Sequence, residues 1–313
     1  MPRGSRLIVS VLTLFALLAS ACGGGEAPPA AAPNPSAHGG FPVTVDSGEG
    51  SVTIEARPTR IVSMSPTATE ILFAIEADDQ VVAVDSNSNY PPEAPTTDLA
   101  AFEPNVEAIA AYDPDLVVIS DDISGLVDAL DALEIPVVQQ PAAVSLEDTY
   151  RQVEDLGAVT GHPGEAASLV DSMTGEIEEL RSEVPDLSRA PTYYHELDDT
   201  YYSVTSDTFI GSIYSLAGLE SIADAAKGSA GGYPQLSAEF IVDADPDMIF
   251  LADTRCCGQS AETVAERPGW DEIGAVERGA VIELDDDVAS RWGPRVVDFL
   301  REAVEAVKGL EAA

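Results

Sequence analysis

From residue 58 onward the chain alternates short β-branched or aliphatic runs with stretches whose apolar positions recur at helical spacing. Residues 60–64 predict a strand and 67–75 a helix; 80–84 and 116–120 predict strands, 125–133 a helix and 136–139 a strand. That alternation is the pattern of a mainly parallel sheet covered by helices. Residues 163–184 then form one long helical stretch, with Pro163 suited to its first turn and Pro185 to its end. Leu169, Met173, Ile177, Leu180 and Val184 recur at steps of four, four, three and four, so one apolar stripe runs its whole length. At about 1.5 Å per residue the helix would extend ~33 Å, roughly the span of a small domain. Such a helix either braces two α/β halves or merely covers one sheet.

The second half resumes the alternation: strands at 192–195, 248–252 and 280–284, a helix at 209–217, and a closing helix at 292–308. Val296, Phe299, Leu300, Ala303, Val304 and Val307 give that last helix one apolar face. Residues 105–121 align without gaps to residues 237–253, with six of seventeen positions identical and the aliphatic positions matching in kind. Each copy reads as a cap, a short helix, an Asp-Pro-Asp turn and a buried strand. Two lobes built on one plan follow from that repeat.

The amino terminus has a different character. Arg3 and Arg6 precede an apolar run over residues 7–21, which ends at Ala19-Ser20-Ala21-Cys22. Fifteen residues fall short of the ~20 a membrane span needs, so residues 1–21 read as a signal peptide. The small residues before Cys22 resemble a lipoprotein cleavage box, with Ala19 where Leu is commoner, which would make Cys22 the lipidated first residue of an extracytoplasmic, membrane-anchored protein. Residues 23–40 are rich in Gly, Pro and Ala and read as a flexible tether. The organisation is therefore a signal peptide (1–21), Cys22 with its tether and a lead-in (22–57), a first lobe (58–162), a bridging helix (163–185) and a second lobe (186–313).

Charge and chemistry narrow the functional classes. Fifteen basic against fifty-five acidic residues give a formal charge of −40, which leaves no basic patch for nucleic acid. Beyond Cys22 the cysteines are Cys256 and Cys257, adjacent in sequence, either two free thiols or a strained disulfide. No spacing of Cys and His builds a zinc site, and the histidines are His38, His162 and His195. His195, at a strand end, could face a cleft, although a lone histidine is more often packed. There is no GxSxG elbow, P-loop, HExxH or GxGxxG after a strand, and Ser63 and Ser65 imply no histidine partner. A hydrolase is accordingly the weakest reading, and a binder of a bare metal ion the nearer alternative. No cofactor or structural metal is expected.

The segments Ile61-Val62-Ser63-Met64-Ser65-Pro66-Thr67-Ala68-Thr69-Glu70-Ile71, Tyr90-Pro91-Pro92, both Asp-Pro-Asp turns and Arg291-Trp292-Gly293-Pro294-Arg295 together resemble the periplasmic binding proteins of iron–siderophore and vitamin B12 ABC importers. The resemblance spans residues 58 to 308. It implies an α/β fold of two Rossmann-like lobes bridged by one long helix, a monomer that captures a metal chelate between the lobes, iron(III)–siderophore first and cobalamin or haem next. It also implies a partner, the ABC permease dimer, docked by Glu107 and Glu239, one per lobe. Both stand second after a residue of capping type (Asn105, Ser237), where a carboxylate also favours the helix dipole by ~0.3–1 kcal/mol. Ligand contacts carried over by position are Arg291, Tyr233, Phe102, Asp287 and Tyr90, with Trp292 beside them. Arg291 suits anionic chelate oxygens, and the aromatic residues suit a flat or greasy face. Trp292 could instead pack at the start of the last helix, and Tyr90 could belong to its Tyr-Pro-Pro turn. Phe102 and Tyr233 stand where the vitamin B12 binders tend to have tryptophan, which speaks against a corrinoid.

Overall fold

A computed structural model describes residues 40–48, 50–226 and 230–312. The expected signal peptide, Cys22 and the tether as far as residue 39 lie outside the described residues. The first element is one that the hydropathy pattern does not single out: an antiparallel hairpin of β1 (Val43–Ser47) and β2 (Gly50–Ile54) within the expected lead-in. Val45 and Ile54 face the core, and the turn is tied to the lobe by a Gly48 N–H donating to the Gln139 carbonyl at 3.0 Å. Gly48 has φ +57°, and a Cβ there would meet Gln139 Oε1 at 2.4 Å, so this close approach requires glycine.

The first lobe follows as β3 (Ile61–Met64), α1 (Pro66–Ala74), β4 (Val81–Val84), α2 (Val106–Ala110), β5 (Leu116–Ile119), α3 (Leu126–Asp131) and β6 (Val137–Gln139). The strands form one parallel sheet in the order β4-β3-β5-β6. β3 and β5 are buried along their whole length, as aliphatic runs covered by helices on both faces must be. α1 begins one residue earlier than its apolar spacing suggests, because Ser65 accepts the Ala68 N–H as a cap and Pro66 takes the first turn.

α4 (Leu146–Thr160) and α5 (Pro163–Ser182) come next. α4 was absent from the expected elements: acidic and polar residues outnumber the buried Val153, Leu156 and Val159, which dilutes its stripe. Ser145 caps it, and Gly161 at φ +79° ends it in the left-handed region. α5 is the long helix, two residues shorter than 163–184, about 30 Å at ~1.5 Å per residue. Its stripe changes partners midway. Ala166 and Val170 pack into the first-lobe core with Val153 and Leu156, Met173, Ile177 and Leu180 pack into the second, and Leu169 between them touches both. The helix therefore braces both lobes and does not merely cover one sheet.

The second lobe contains β7 (Thr192–Glu196), α6 (Phe209–Leu216), β8 (Glu220–Ser221), α7 (Ala238–Ala244), β9 (Met248–Leu251), α8 (Ala261–Ala265), α9 (Gly274–Glu277), β10 (Val281–Glu283), α10 (Asp286–Ser290) and α11 (Val296–Ala312). Its sheet is again parallel, in the order β10-β9-β7-β8. The closing helix starts four residues later than expected, and residues 292–295 form a turn that lies against the first lobe.

The repeat is repeated in three dimensions. Asp113 (φ 51°) and Asp245 (φ 45°) both turn the chain through the left-handed region, which short polar side chains tolerate. Asp115 then accepts the Thr59 and Arg60 N–H groups at 2.8 Å each, and Asp247 accepts the Thr192 N–H at 2.8 Å. Each Asp-Pro-Asp turn so ties the strand that follows it to the chain entering its neighbour, β5 to β3 and β9 to β7.

Candidate functional site: the cleft between the lobes

Parallel strands present their carboxyl ends on one side, and ligands of open α/β sheets collect beyond those ends. Here Met64 and Ser65 after β3, Asp85 after β4, and Ile119 and Ser120 of β5 line a cavity of about 580 Å³. Its opposite wall comes from the second lobe: Asp287, Ser290, Arg291 and Trp292. The first-lobe floor is a closed chain of small polar groups. The Thr69 hydroxyl lies 2.8 Å from Ser63 Oγ and 2.9 Å from Ser88 Oγ, and Ser88 donates to Asp85 Oδ1 at 2.5 Å. Ser120 donates to Ser65 Oγ at 2.8 Å. These hydroxyls, Ser63 and Ser65 included, bond to one another and to the backbone of the α1 cap.

The two quoted motifs meet at the lobe boundary. Arg291 Nη1 donates to Glu70 Oε1 at 2.7 Å, and its Nη2 reaches Asp287 Oδ1 (2.7 Å), the Asn87 carbonyl (2.9 Å) and Asn89 Oδ1 (3.0 Å). Arg295 takes the same Glu70 carboxylate in two bonds, Nε to Oε2 at 2.9 Å and Nη2 to Oε1 at 2.5 Å. Asn89 Nδ2 donates back to Asp287 Oδ2 at 2.7 Å. Side-chain exposure is 1% for Glu70 and 8% for Arg291, so the centre of this ion cluster is buried, and Arg255 extends it on the exposed side, 3.2 Å from both Asp285 and Asp287. Burial alone would lower the Arg295 pKa, but its hydrogen bonds to Glu70 and the charge of Glu70 leave it raised overall.

The positions carried over by resemblance do not all converge. Asp287, Arg291, Trp292 and Phe102 line the cavity, with Phe102 73% exposed at its rim. Arg291 is not a free cation waiting for an anionic ligand, because its guanidinium is already engaged by four protein acceptors. Trp292 presents its ring to the cavity while its indole N–H donates to Gln152 Oε1 of α4 at 2.9 Å. Tyr90 lies elsewhere, beneath Arg295 (4.2 Å from guanidinium to ring centre) on the wall of a second cavity of about 560 Å³. Tyr233, after the Ala230–Gly232 turn, is half-exposed and does not line the 580 Å³ cavity. Glu107 and Glu239 sit in the first turns of α2 and α7, both exposed, each behind a capping side chain: Asn105 accepts from Ala108 N–H and Ser237 from Phe240 N–H.

Residues that the pattern passed over are the ones that close the site. Asn87, Asn89 and Gln152 carry no motif. Glu70 and Arg295 stood in quoted motifs without a role, yet a lone carboxylate among the apolar positions of α1 is itself a signal, since an ionised side chain is buried only when paired.

In the second lobe a further charge cluster ends β7. Arg267 clasps Glu196 in two bonds of 2.6 Å, Tyr194 donates to Glu196 at 3.0 Å, and the guanidinium lies 4.5 Å from the Trp270 ring centre. Asp253 is fully buried nearby, with no donor to its carboxyl among the described residues when both acids are ionised. Burial, and then the Glu196 charge, push its pKa well above the usual carboxylate range; a proton on Asp253 gives it a donor for Glu196. His195 faces the core. Its Nδ1 lies 2.8 Å from the Tyr214 hydroxyl, and burial pushes its pKa down to about 3. Cys256 and Cys257 are joined as a disulfide between neighbours on the exposed loop after β9. Among the described residues no three His, Cys, Asp or Glu side chains are grouped to hold a metal ion, and no helix is long and apolar enough to cross a membrane.

Two similar α/β lobes, a bracing helix and a cleft shared by both define a two-lobed binding protein. Residues 61–288 match the family model described as periplasmic binding protein, and the chain belongs to that family. It is 31% identical over 277 residues to the uncharacterized ABC transporter substrate-binding lipoprotein YvrC of Bacillus subtilis, covering 85% of this chain and 86% of that one. It is 30% identical over 275 residues to the cobalamin-binding protein of Halobacterium salinarum, covering 85% and 74% respectively. In structure it superposes on the periplasmic heme-binding protein RhuT from Roseiflexus with a TM-score of 0.69 at 23% identity, covering 80% of this chain and 99% of that one. The chain is thus similar to substrate-binding components of ABC importers.

Proposed function

We propose that this protein is the lipid-anchored, extracytoplasmic substrate-binding component of an ABC importer. It captures a metal chelate between its lobes and presents it to the permease dimer, with no catalytic step of its own. The observation that carries this reading is the cavity walled by both lobes, with an exposed aromatic ring, Phe102, at its rim and the Trp292 ring on its far wall. Sequence favoured an iron(III)–siderophore over a corrinoid. The likeness to a cobalamin-binding protein over most of the chain now moves cobalamin to the first place in testing. Trp292 lines the cavity and Trp270 is buried in the second lobe, so ligand entry should quench mainly Trp292. Titration with cyanocobalamin, haemin and ferric siderophores, followed by tryptophan fluorescence, should give saturable quenching with one of them. Silence to every chelate alongside tight binding of a bare divalent ion would sink the ligand class.

Delivery rests on Glu107 and Glu239, exposed at equivalent places of the repeat, a pair of anions suited to a twofold-symmetric partner bearing cations. Their only local alternative is the helix-dipole effect. Reversing both charges (Glu107→Arg with Glu239→Arg) should abolish uptake while ligand affinity stays within about twofold. Equal loss of affinity would make these residues structural.

A further inference from the structure

We propose that Glu70, Arg291 and Arg295 form an ionic latch that fixes the separation of the lobes and thereby the width of the cleft, with Arg291 gripping the opposite lobe and not the ligand. The contact joins residues 221 and 225 positions apart, the acid on α1 of the first lobe and the arginines on the turn before α11 of the second. Arg291 commits Nη1 to Glu70 and shares Nη2 among three further acceptors, so both terminal nitrogens of its five-donor fork are engaged by protein groups, while Nε–H and the second Nη1 hydrogen stay outside these bonds. Asn89 completes the grip, accepting from Arg291 and donating to Asp287, so one first-lobe amide reads both signs of the second-lobe pair. Arg295 is held from its other side by the face of Tyr90.

What surrounds the latch gives it a positional role. The cleft lies on one side, walled by Arg291 and Asp287; the 560 Å³ cavity lies on the other, walled by Glu70, Tyr90 and Arg295. Between these two spaces the lobes are joined by the polar contacts just given, and the two main cores are separate clusters linked through α5, with Leu146 and Tyr150 of α4 also packed against the second-lobe core. A buried ion cluster is poor value as stability against an apolar replacement, and its best-attested use is to specify one arrangement over others. Here the arrangement specified is the lobe-to-lobe distance. Two α/β lobes braced along α4 and α5 would rock about those helices; a directional, multi-dentate bond at the cleft's edge removes that freedom.

The distance part of this proposal stands apart from the ligand reading; only its kinetic part rests on it. Nitroxide labels carried by unnatural amino acids at the exposed Asp131 (α3) and Glu262 (α8), leaving Cys256–Cys257 intact, would report the interlobe distance by pulsed electron spin resonance on the full-length protein in detergent. The protein without ligand should give one narrow distribution. Glu70→Gln should broaden it at least about twofold and speed cyanocobalamin or haemin release about tenfold, Arg291→Lys should fall between the two, and Asn89→Ala, which leaves every buried ion paired, should broaden it more weakly. An unchanged distribution in both Glu70→Gln and Asn89→Ala would overturn the latch, as would an Arg291→Gln variant that loses chelate binding at an unchanged distance. If neither chelate binds the parent protein, the functional reading fails and the distance distributions still decide the latch.

Discussion

The two lobes share a plan and differ in filling. The first-lobe strand β3 carries small and hydroxyl side chains toward its end, and Ser63, Thr69, Ser88 and Asp85 make a compact polar floor beneath the cleft. The equivalent second-lobe strand β7 carries Tyr193, Tyr194, His195 and Glu196. Tyr193 and Tyr214 lie 4.1 Å apart between ring centres, and Phe250 and Phe299 lie 4.7 and 5.0 Å from Tyr214. One lobe is closed by hydrogen bonds among small groups, the other by packed rings and one clasped ion pair. The same topology therefore does not dictate the same energetics: both lobes have apolar cores, but at the end of the central strand the first is vulnerable to loss of a donor and the second to loss of volume.

That contrast can be broken in order of size. Phe250→Ala should cost about 3–5 kcal/mol in denaturant unfolding, because the ring is fully buried against those of Tyr193 and Tyr214 and leaves a cavity. Glu70→Ala should cost a similar or slightly smaller amount, about 3–5 kcal/mol, since two arginines lose their shared partner. Thr69→Val, nearly the same shape, should cost only about 1–3 kcal/mol, because Ser63 and Ser88 each lose one partner but keep their bonds to the Ser65 carbonyl and Asp85. If Thr69→Val proved as costly as Phe250→Ala, the distinction between the lobes would collapse.

Acidity sharpens it further. Asp253 binds its proton more tightly in the fold than in the unfolded chain, so the native state holds more protons between pH 4 and about 7, and its contribution falls as pH rises through that window. His195 acts in the opposite sense. Neutral in the fold down to about pH 3, it is protonated on unfolding below its ordinary value of 6.5, so its contribution rises with pH between those limits. Asp253→Asn should therefore gain stability relative to the parent as pH is raised from 4 to 7, by on the order of 1–3 kcal/mol, measured as melting temperature. A pH-independent difference would show that Asp253 is ionised in the fold. Smallest of all, Glu107→Ala and Glu239→Ala should each change stability by less than about 0.5–1 kcal/mol, the scale of a first-turn carboxylate on a helix dipole.

Much of the fold was legible because its signals are local. Buried parallel strands read as aliphatic runs, and the Asp-Pro-Asp repeat announced two copies of one unit before either was seen. α4 escaped because its stripe is narrow amid acidic residues, and the β1–β2 hairpin because five-residue strands beside a Gly/Pro-rich lead-in carry little pattern. The site was legible in part. Arg291, Asp287, Trp292 and Phe102 do line the cleft, but no local rule tells that the Arg291 guanidinium is spent on Glu70, two hundred residues away in sequence. Tyr90, on the wall of the 560 Å³ cavity, and Tyr233, which lines neither cavity, stand apart from those four.

The divided stripe of α5 has a consequence for how the molecule melts. Ala166 and Val170 belong to one core, Met173, Ile177 and Leu180 to the other, and Leu169 touches both, on a helix that propagates order from turn to turn. Loosening either core frays the segment that the other depends on, so heat should dismantle both in a single calorimetric peak whose van't Hoff and calorimetric enthalpies agree. A proline introduced at Ser172, on the exposed middle of the helix, would uncouple them and split that peak in two.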